Sequence, residues 1–581
     1  MRLYADVLGS ERPEELLDQV ECALLSSSLD RAAPTAGRIE AVREALIAAG
    51  MLEQGVADSL SPNVADGMEP GRVAAALTGQ VAEILAGVAR GEAVALALPA
   101  ALGAARSALR GYGPLAIVHP EGYLFYALFP DLYIELGAAI GAAIGDSPAV
   151  VIGVRSIGTS LSAAVAAGLR ARGCPVQRHT VRPVGEPFER LTIPSERQCA
   201  AWRAAARHGA AFIAVDEGPG LSGSSLASVI AALESLGIDP DLLHIACAAP
   251  PASPPMASPA VQAIWRRTRC WPAAGPGAGF WARTLPSWLA TAAGVGSPPV
   301  ADLSWGAWVG HLPDGVPPPM PQLERRKLLL GDGNRRVLAK FAGFGAAGRH
   351  KALHLAALAE AGLVPRYLGH AHGMVLQEWI EGSAPPNLAD RAPLAEAAAY
   401  YAFLRRSFTV PEGPDILALA EIVEEIAGNW FGETLPGDLR PLLSGMRDVR
   451  AVEGDQRPEP VEWRAMGGRI LKTDAADHYL DHTWARRMDV AFDLAGFSVE
   501  FGLSEAAEGE LLRRYAVASG DRSIGTRIPF FRAAYAAHRL ATADTAYHAG
   551  GGGSARLDHQ RRRMADGLAA ALRGGQDSVC G

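Results

Sequence analysis

The run Ala214-Val215-Asp216-Glu217-Gly218-Pro219-Gly220-Leu221-Ser222-Gly223-Ser224-Ser225-Leu226 joins a strand end, two acids and a glycine/serine turn to the start of a helix. Phe212-Ile213-Ala214-Val215 is apolar and bounded by polar residues, so Asp216 and Glu217 fall at the C-terminal end of a strand. Carboxylates placed there can accept from ribose hydroxyls or hold a divalent ion through water. Behind them, backbone N–H groups, the hydroxyls of Ser222, Ser224 and Ser225 and the positive N-terminus of a helix running to Leu236 can surround a phosphate. Gly218, Gly220 and Gly223 let the backbone approach such a ligand.

Working outward, Val150-Val151-Ile152-Gly153-Val154-Arg155-Ser156-Ile157-Gly158-Thr159-Ser160 repeats the pattern of strand, polar turn and helix, and Leu242 to Cys247 supplies a third strand. Arg155 offers a cation, while Ser156, Thr159, Ser160 and the amides near Gly158 offer donors, a set suited to an anion. Between the two loops lies Thr180 to Arg190, with Arg182 and Arg190 as further cations. Strand, acid pair and Ser-Gly-Ser-Ser end together resemble the signature of type I phosphoribosyltransferases. Departures are Glu217 for the usual second Asp, Ser222 for Thr, and one extra residue before the phosphate turn.

The resemblance implies a parallel-sheet α/β domain that binds phosphoribosyl pyrophosphate with magnesium, Asp216, Glu217 and Arg155 being catalytic. It implies substrate contacts from Ser156, Gly158, Thr159, Ser160, Arg182, Gly220, Ser222, Gly223, Ser224 and Ser225, under a mobile flap at 180–190. The aromatic run Pro120 to Leu128 fits either a base pocket or core packing.

After a Pro/Gly-rich stretch from Pro250 to Pro321, with a break at Val316-Pro317-Pro318-Pro319, the texture changes. Lys327 to Leu330, a turn at 331–334 and Arg336 to Phe341 predict a β-hairpin carrying Lys340, and a helix from Arg349 to Ala361 follows. Val375 to Gly382, containing Glu378, predicts another strand. Met488-Asp489-Val490-Ala491-Phe492-Asp493-Leu494-Ala495 is similar to a run that follows the metal-binding Asp of aminoglycoside phosphotransferases and choline kinases.

That resemblance implies a bilobal protein-kinase-like α+β domain in which Lys340 and Glu378 hold ATP, Asp474 binds metal and Asp455 is the base. Glu453 and Pro460 stand where the pattern has His and Asn, and Lys351 stands where it has Glu. Asp493 also fits a helix N-cap. His478 and His482, four apart, would share one metal-binding face if helical.

The whole chain has 581 residues, 49% hydrophobic and 20% charged, which exceeds one ordinary core and argues against long disorder. A net charge of −8 does not fit a nucleic-acid binder, whose affinity rests on clustered Lys and Arg. Six scattered cysteines form no CxxC pair, so a reducing cytoplasm is expected, and no segment predicts a membrane span.

The expected plan is a helical region at 1–110 without a catalytic motif, a phosphoribosyltransferase-like domain at 111–300, a linker at 301–321, a kinase-like domain at 322–545, and a Gly-rich hinge with a last helix at 546–581. The expected activity is phosphoribosyl transfer to a small, nucleobase-like acceptor, with an appended ATP-binding domain. The alternatives are a small-molecule kinase with a non-catalytic first half, and a regulatory protein that senses nucleotides or ribose phosphates.

Overall fold

The computed structural model describes residues 3–4, 8–29, 35–60, 68–92, 98–248, 254–273, 279–296, 300–311, 324–331, 335–380, 393–432, 435–466 and 469–577. The chain divides into two compact units, Val7–Trp288 and Leu289–Gly581, the latter including Met1–Asp6.

The first unit runs β1 (Leu8–Glu11), α1 (Pro13–Leu29), α2 (Thr35–Ser59), α3 (Glu69–Ala89), α4 (Leu98–Ala108), β2 (Leu115–Val118), α5 (Glu121–Leu124), α6 (Pro130–Ile144), β3 (Ala149–Val154), α7 (Ile157–Arg170), β4 (Val176–Val181), α8 (Glu196–Arg207), β5 (Ala211–Val215), α9 (Ser224–Ser235), β6 (Leu243–Cys247), α10 (Pro259–Arg267) and β7 (Arg269–Pro272). Helix α11 (Leu285–Ala293) crosses the division.

Strands β3 to β7 form one all-parallel sheet in the order β4-β3-β5-β6-β7. β3, β5 and β6 are buried along their whole length, which is why they read as unbroken apolar runs in the sequence. In this order the chain leaves β3 toward β4 and then returns past it to β5. That reversal opens a crevice beyond the C-terminal ends of β3 and β5, where ligands of open α/β sheets bind.

The helices before β2 belong to the same unit. β1 pairs antiparallel with β2, and Gln54 of α2 bonds the amide of Val118 and the carbonyl of Ala116. Among the described residues one helix, α3, has the length and apolar composition of a membrane span, with 56% of that window buried. It packs against α2 and α7.

The second unit continues with β8 (Ala301–Asp302), β9 (Lys327–Leu330), β10 (Val337–Phe341), α12 (Gly345–Glu360), β11 (Tyr367–Ala371), β12 (Met374–Glu378), α13 (Pro393–Ser407), α14 (Ile416–Phe431), α15 (Arg440–Leu443), β13 (Trp463–Met466), β14 (Arg469–Lys472), α16 (Val490–Glu500), α17 (Glu505–Ser519), α18 (Ile524–Ala549) and α19 (Ala555–Asp577). An antiparallel sheet in the order β11-β12-β10-β9-β8 precedes a largely helical region carrying the β13-β14 hairpin. Mixed α/β architecture therefore holds for the whole chain.

Several expectations change here. Ala301–Asp302, expected in a linker, is an edge strand paired with Leu328 and Leu329. α19, expected beyond a hinge, packs along α18. The expected break at 316–319, residues 332–334 of the β9-β10 turn and 381–382, the end of the strand expected from Val375, lie outside the described residues. Asp489, not Asp493, caps α16 by accepting from the amide of Ala491. Asp493 lies a turn inside that helix, buried.

Candidate functional site

In the first unit the loops after β3 and β5 meet at the crevice. A Cβ built on Gly158 would stand 2.7 Å from the carbonyl of Val215, so the first turn of α7 and the end of β5 touch at a place only glycine permits. Ser156 at the head of α7 has φ 122°, a conformation L-residues rarely adopt, and such strain clusters at ligand sites. Gly223, φ 68°, turns the second loop into α9.

Asp216 and Glu217 stand at the end of β5. Burial pushes Asp216 up to about 7, against the amide of Glu217 and the charge of Arg182. Glu217, which accepts from the amide of Gly122 at 2.9 Å, is raised further by burial and by the neighbouring acids Glu121 and Asp216.

The expected ligand contacts are not all available. Arg155 and Arg182 both pair with Asp58 at the end of α2, Arg155 at 3.2 Å, so one carboxylate already engages both cations and offsets part of their charge. Ser160 is buried, with its hydroxyl between Tyr123 at 2.7 Å and the carbonyl of Ile157, and it serves packing rather than the loop mouth. Thr159 is fully buried as well. Ser222 and Ser224 donate to the carbonyl of Pro187, so the 180–190 arm rests on the phosphate turn; Val184 and Leu191 bridge its base. Gly220 and Ser225 remain at least partly exposed on the turn. Tyr123 and Phe125 are buried, so that aromatic run packs the core.

A pH effect follows from Asp216. A carboxyl raised in the folded state favours folding relative to its ionised form while protonated. That contribution is full below the unfolded value near 3.8 and is lost as pH rises through about 7. Asp216→Asn should therefore stabilise the first unit at pH 8 by roughly 2–4 kcal/mol and leave it unchanged at pH 4. Urea melts at the two pH values check this, and an equal gain at both would contradict it.

In the second unit a cavity of about 870 Å³ is lined by Leu338, Lys340, Trp379, Asp474, His478 and Arg539, among others. Lys340, in the middle of the sheet on β10, reaches Asp474 and Asp477 despite 134 residues of separation from the former. Burial opposes the charge on Lys340, yet these two carboxylates hold it above the ordinary lysine range. Burial raises Asp474 and Asp477, but the surrounding cations, Lys340 foremost and with it Lys472 at Asp474 and Lys351 at Asp477, together outweigh it, leaving Asp474 well below the usual carboxylate range and Asp477 at about 2.

Asp455 is 1% exposed and faces Lys472, whose ammonium lies 2.5 Å away and also meets Glu462 and the carbonyl of Asp474. Burial pushes Asp455 up to about 7 against that lysine. Asp455, Asp474 and His478 each offer one ligand atom, all within 4.8 Å of one another, a donor set that fits a divalent cation.

Other expected positions take different roles. Lys351 pairs with Asp477 at 3.5 Å, so the acid that faces Lys340 comes from the segment after β14 rather than from α12. Glu453 binds His350 and Arg487. Pro460 opens a short 3-10 turn. The side chain of Glu378 is exposed and accepts from Arg366, and its amide donates to the Arg366 carbonyl, so side chain and amide are both already engaged. His478 and His482 share no helix face. Both converge on Asp481, at 3.0 and 2.9 Å.

Sequence reading passed over Asp58 and Lys472, and counted Asp477 among the acids of the 472–482 segment suited to magnesium without pairing it with Lys340. Lys472 had a signal: it is a charged residue closing the apolar strand that leads to Asp474 two residues on.

No family model matches the chain, and no curated protein does. Solved structures similar to it include the choline kinase LicA from Streptococcus pneumoniae, at 14% identity over 50% of this chain and 98% of that one, TM-score 0.33. A choline/ethanolamine kinase family protein from Mesorhizobium loti matches at 18% over 43% and 90%, TM-score 0.31. An ethanolamine kinase from Plasmodium vivax matches at 10% over 48% and 84%, TM-score 0.31. Likenesses at these scores leave the cleft's function to its own residues.

Proposed function

We propose that the second unit is a kinase-like small-molecule phosphotransferase that binds ATP in the cavity between the β8–β12 sheet and the helical region. The observation that carries this reading is the meeting of Lys340 and Asp474 in one cavity, with Asp455 beside them. Lysine grips nucleotide phosphates as a point charge, and a strand-end Asp is placed to hold the cation bridging them, so one nucleotide would touch both. A divalent cation, magnesium in the expectation above, would neutralise charge on the transferring phosphoryl group.

Asp455, the expected base, would orient the acceptor's hydroxyl from beside Asp474, directly or through a cation that it shares with Asp474. This reverses the order of the two readings drawn from sequence: phosphotransfer now comes before phosphoribosyl transfer. ATP consumption by the full chain, stimulated by a hydroxyl-bearing small molecule and lost in Asp474→Asn, is the expected result. Unchanged consumption in Asp474→Asn would reject the assignment.

For the first unit we infer a ribose-phosphate site using phosphoribosyl pyrophosphate and a nucleobase-like acceptor. One observation favours it: the reversal in sheet order sets the Arg155 loop and the Asp216-Glu217 turn side by side at the crevice. A ligand entering would exchange its phosphates for Asp58 on Arg155 and Arg182. Asp216→Asn with Glu217→Gln should abolish calorimetric binding of phosphoribosyl pyrophosphate while the fold survives. Unchanged affinity would remove this reading, and binding without pyrophosphate release would mark a sensor.

A further inference from the structure

The cluster of Asp455 and Asp474 in the second unit includes a histidine held in the way metal-binding histidines are held. His478 Nδ1 lies 3.0 Å from Asp481 Oδ2. Asp481 is 1% exposed, pairs with Arg325 at 3.2 Å and accepts from the amide of His482 at 2.8 Å. A carboxylate anchored by an arginine and an amide is an acceptor only, so the imidazole proton sits on Nδ1. Nε2 then carries the lone pair.

The carboxylate–histidine pair is the arrangement that orients imidazole toward a metal and raises its basicity. His478 lines the cavity beside Asp474, and its ligand atom lies within 4.8 Å of those of Asp455 and Asp474. Asp455 contributes a second observation: its Oδ1 is buried and accepts no hydrogen bond, while Oδ2 faces Lys472. A buried carboxylate oxygen left unpaired is costly, and a cation would satisfy it.

We propose that Asp455, Asp474 and His478 form a mixed nitrogen and oxygen site that prefers a transition-metal dication such as Mn²⁺ or Co²⁺ to Mg²⁺. An imidazole nitrogen is a softer ligand than a carboxylate oxygen and favours transition-metal dications, Mn²⁺ least among them and Co²⁺ more, whereas Mg²⁺ takes oxygen ligands and gives up water reluctantly. Lys340 and Lys472 already stand against Asp474 and Asp455, so they offset part of the acidic charge and make the histidine ligand more decisive. The proposal takes its role in phosphotransfer from the reading of the cavity as a nucleotide site, but its three residues stand without nucleotide.

The test uses the full metal-stripped chain without nucleotide, titrated with Mn²⁺ and with Mg²⁺ by calorimetry and by the EPR signal of free Mn²⁺. Wild type should bind Mn²⁺ at least about a hundredfold more tightly than Mg²⁺. His478→Gln should weaken Mn²⁺ at least about tenfold and move Mg²⁺ less than threefold. Asp481→Asn, acting through the ring, should weaken Mn²⁺ by about 10–100-fold.

Equal Mn²⁺ affinity in wild type and a folded His478→Gln would overturn the proposal. Should that variant not fold, pulsed EPR of Mn²⁺-loaded wild type decides: coupling to a histidine nitrogen upholds the site, and its absence overturns it. ATP binding measured in parallel separates the two claims, because His478-dependent Mn²⁺ binding upholds the metal site whether or not nucleotide binds.

Discussion

Lys340→Ala should lower the affinity for MgATP by at least about thirtyfold, the loss expected when one partner of a buried, hydrogen-bonded charge contact is truncated. Lys340 is 6% exposed and comes from β10, the strand between β9 and β12, and it makes the direct ion pair with Asp474, while its neighbour Lys327 on β9 acts on that carboxylate without one. Its removal also leaves Asp474 and Asp477 facing each other with one cation fewer, which repels the phosphates that Lys340 would attract. Lys340→Arg should recover little, because a planar fork does not replace a compact ammonium between two carboxylates. Calorimetry with MgATP on variants whose urea midpoints are known separates lost binding from lost folding. Wild-type affinity in a folded Lys340→Ala would contradict the assignment.

The largest effect on stability is expected at Arg527. This side chain is fully buried and binds Asp489 at 3.2 Å, Asp521, the carbonyl of Arg447 at 3.1 Å and Ser523 at 2.8 Å. Arg405 closes the network by meeting the other oxygen of Asp489 at 3.2 Å. Asp489 also caps α16, so the network fixes the start of the helix that carries Asp493.

Arg527→Met should cost the second unit about 3–5 kcal/mol, because breaking a buried ion network strands the remaining carboxylates. Adding Asp521→Asn should restore part of that loss, since one stranded charge is then gone. Urea midpoints measure both. A loss below about 1 kcal/mol for Arg527→Met would show that the network does not hold α16.

Legibility in the sequence followed physical cause. β3, β5 and β6 were visible because a strand buried on both faces is an apolar run closed by turn residues, and acids at such an end mark the crest of a parallel sheet. Asp58 was not visible. It meets Arg155 across 97 residues, and helical periodicity says which face of α2 is buried, not what its last turn touches. Lys340 and Asp474 were readable from their strand-end patterns, but Asp477 sits in an irregular turn with no period to place it.

The cap of α16 was misplaced by weighing Asp493 over Asp489, although a cap precedes the first helical residue and Asp489 is the acid that does so. The edge strand at Ala301–Asp302 was hidden by Pro-rich neighbours whose composition opposes long elements and is silent on a two-residue one. Ser160 was read as a loop donor because its spacing from Arg155 fits, yet the first turn of α7 rotates it onto Tyr123.

Hydrogen exchange of the full chain with and without MgATP tests the central claim most directly, because it reports where the nucleotide sits without requiring turnover. The account predicts slower exchange in peptides covering 337–341, 374–380 and 469–480, with 211–226 unchanged. Protection absent from those segments, or confined to 211–226, would contradict it.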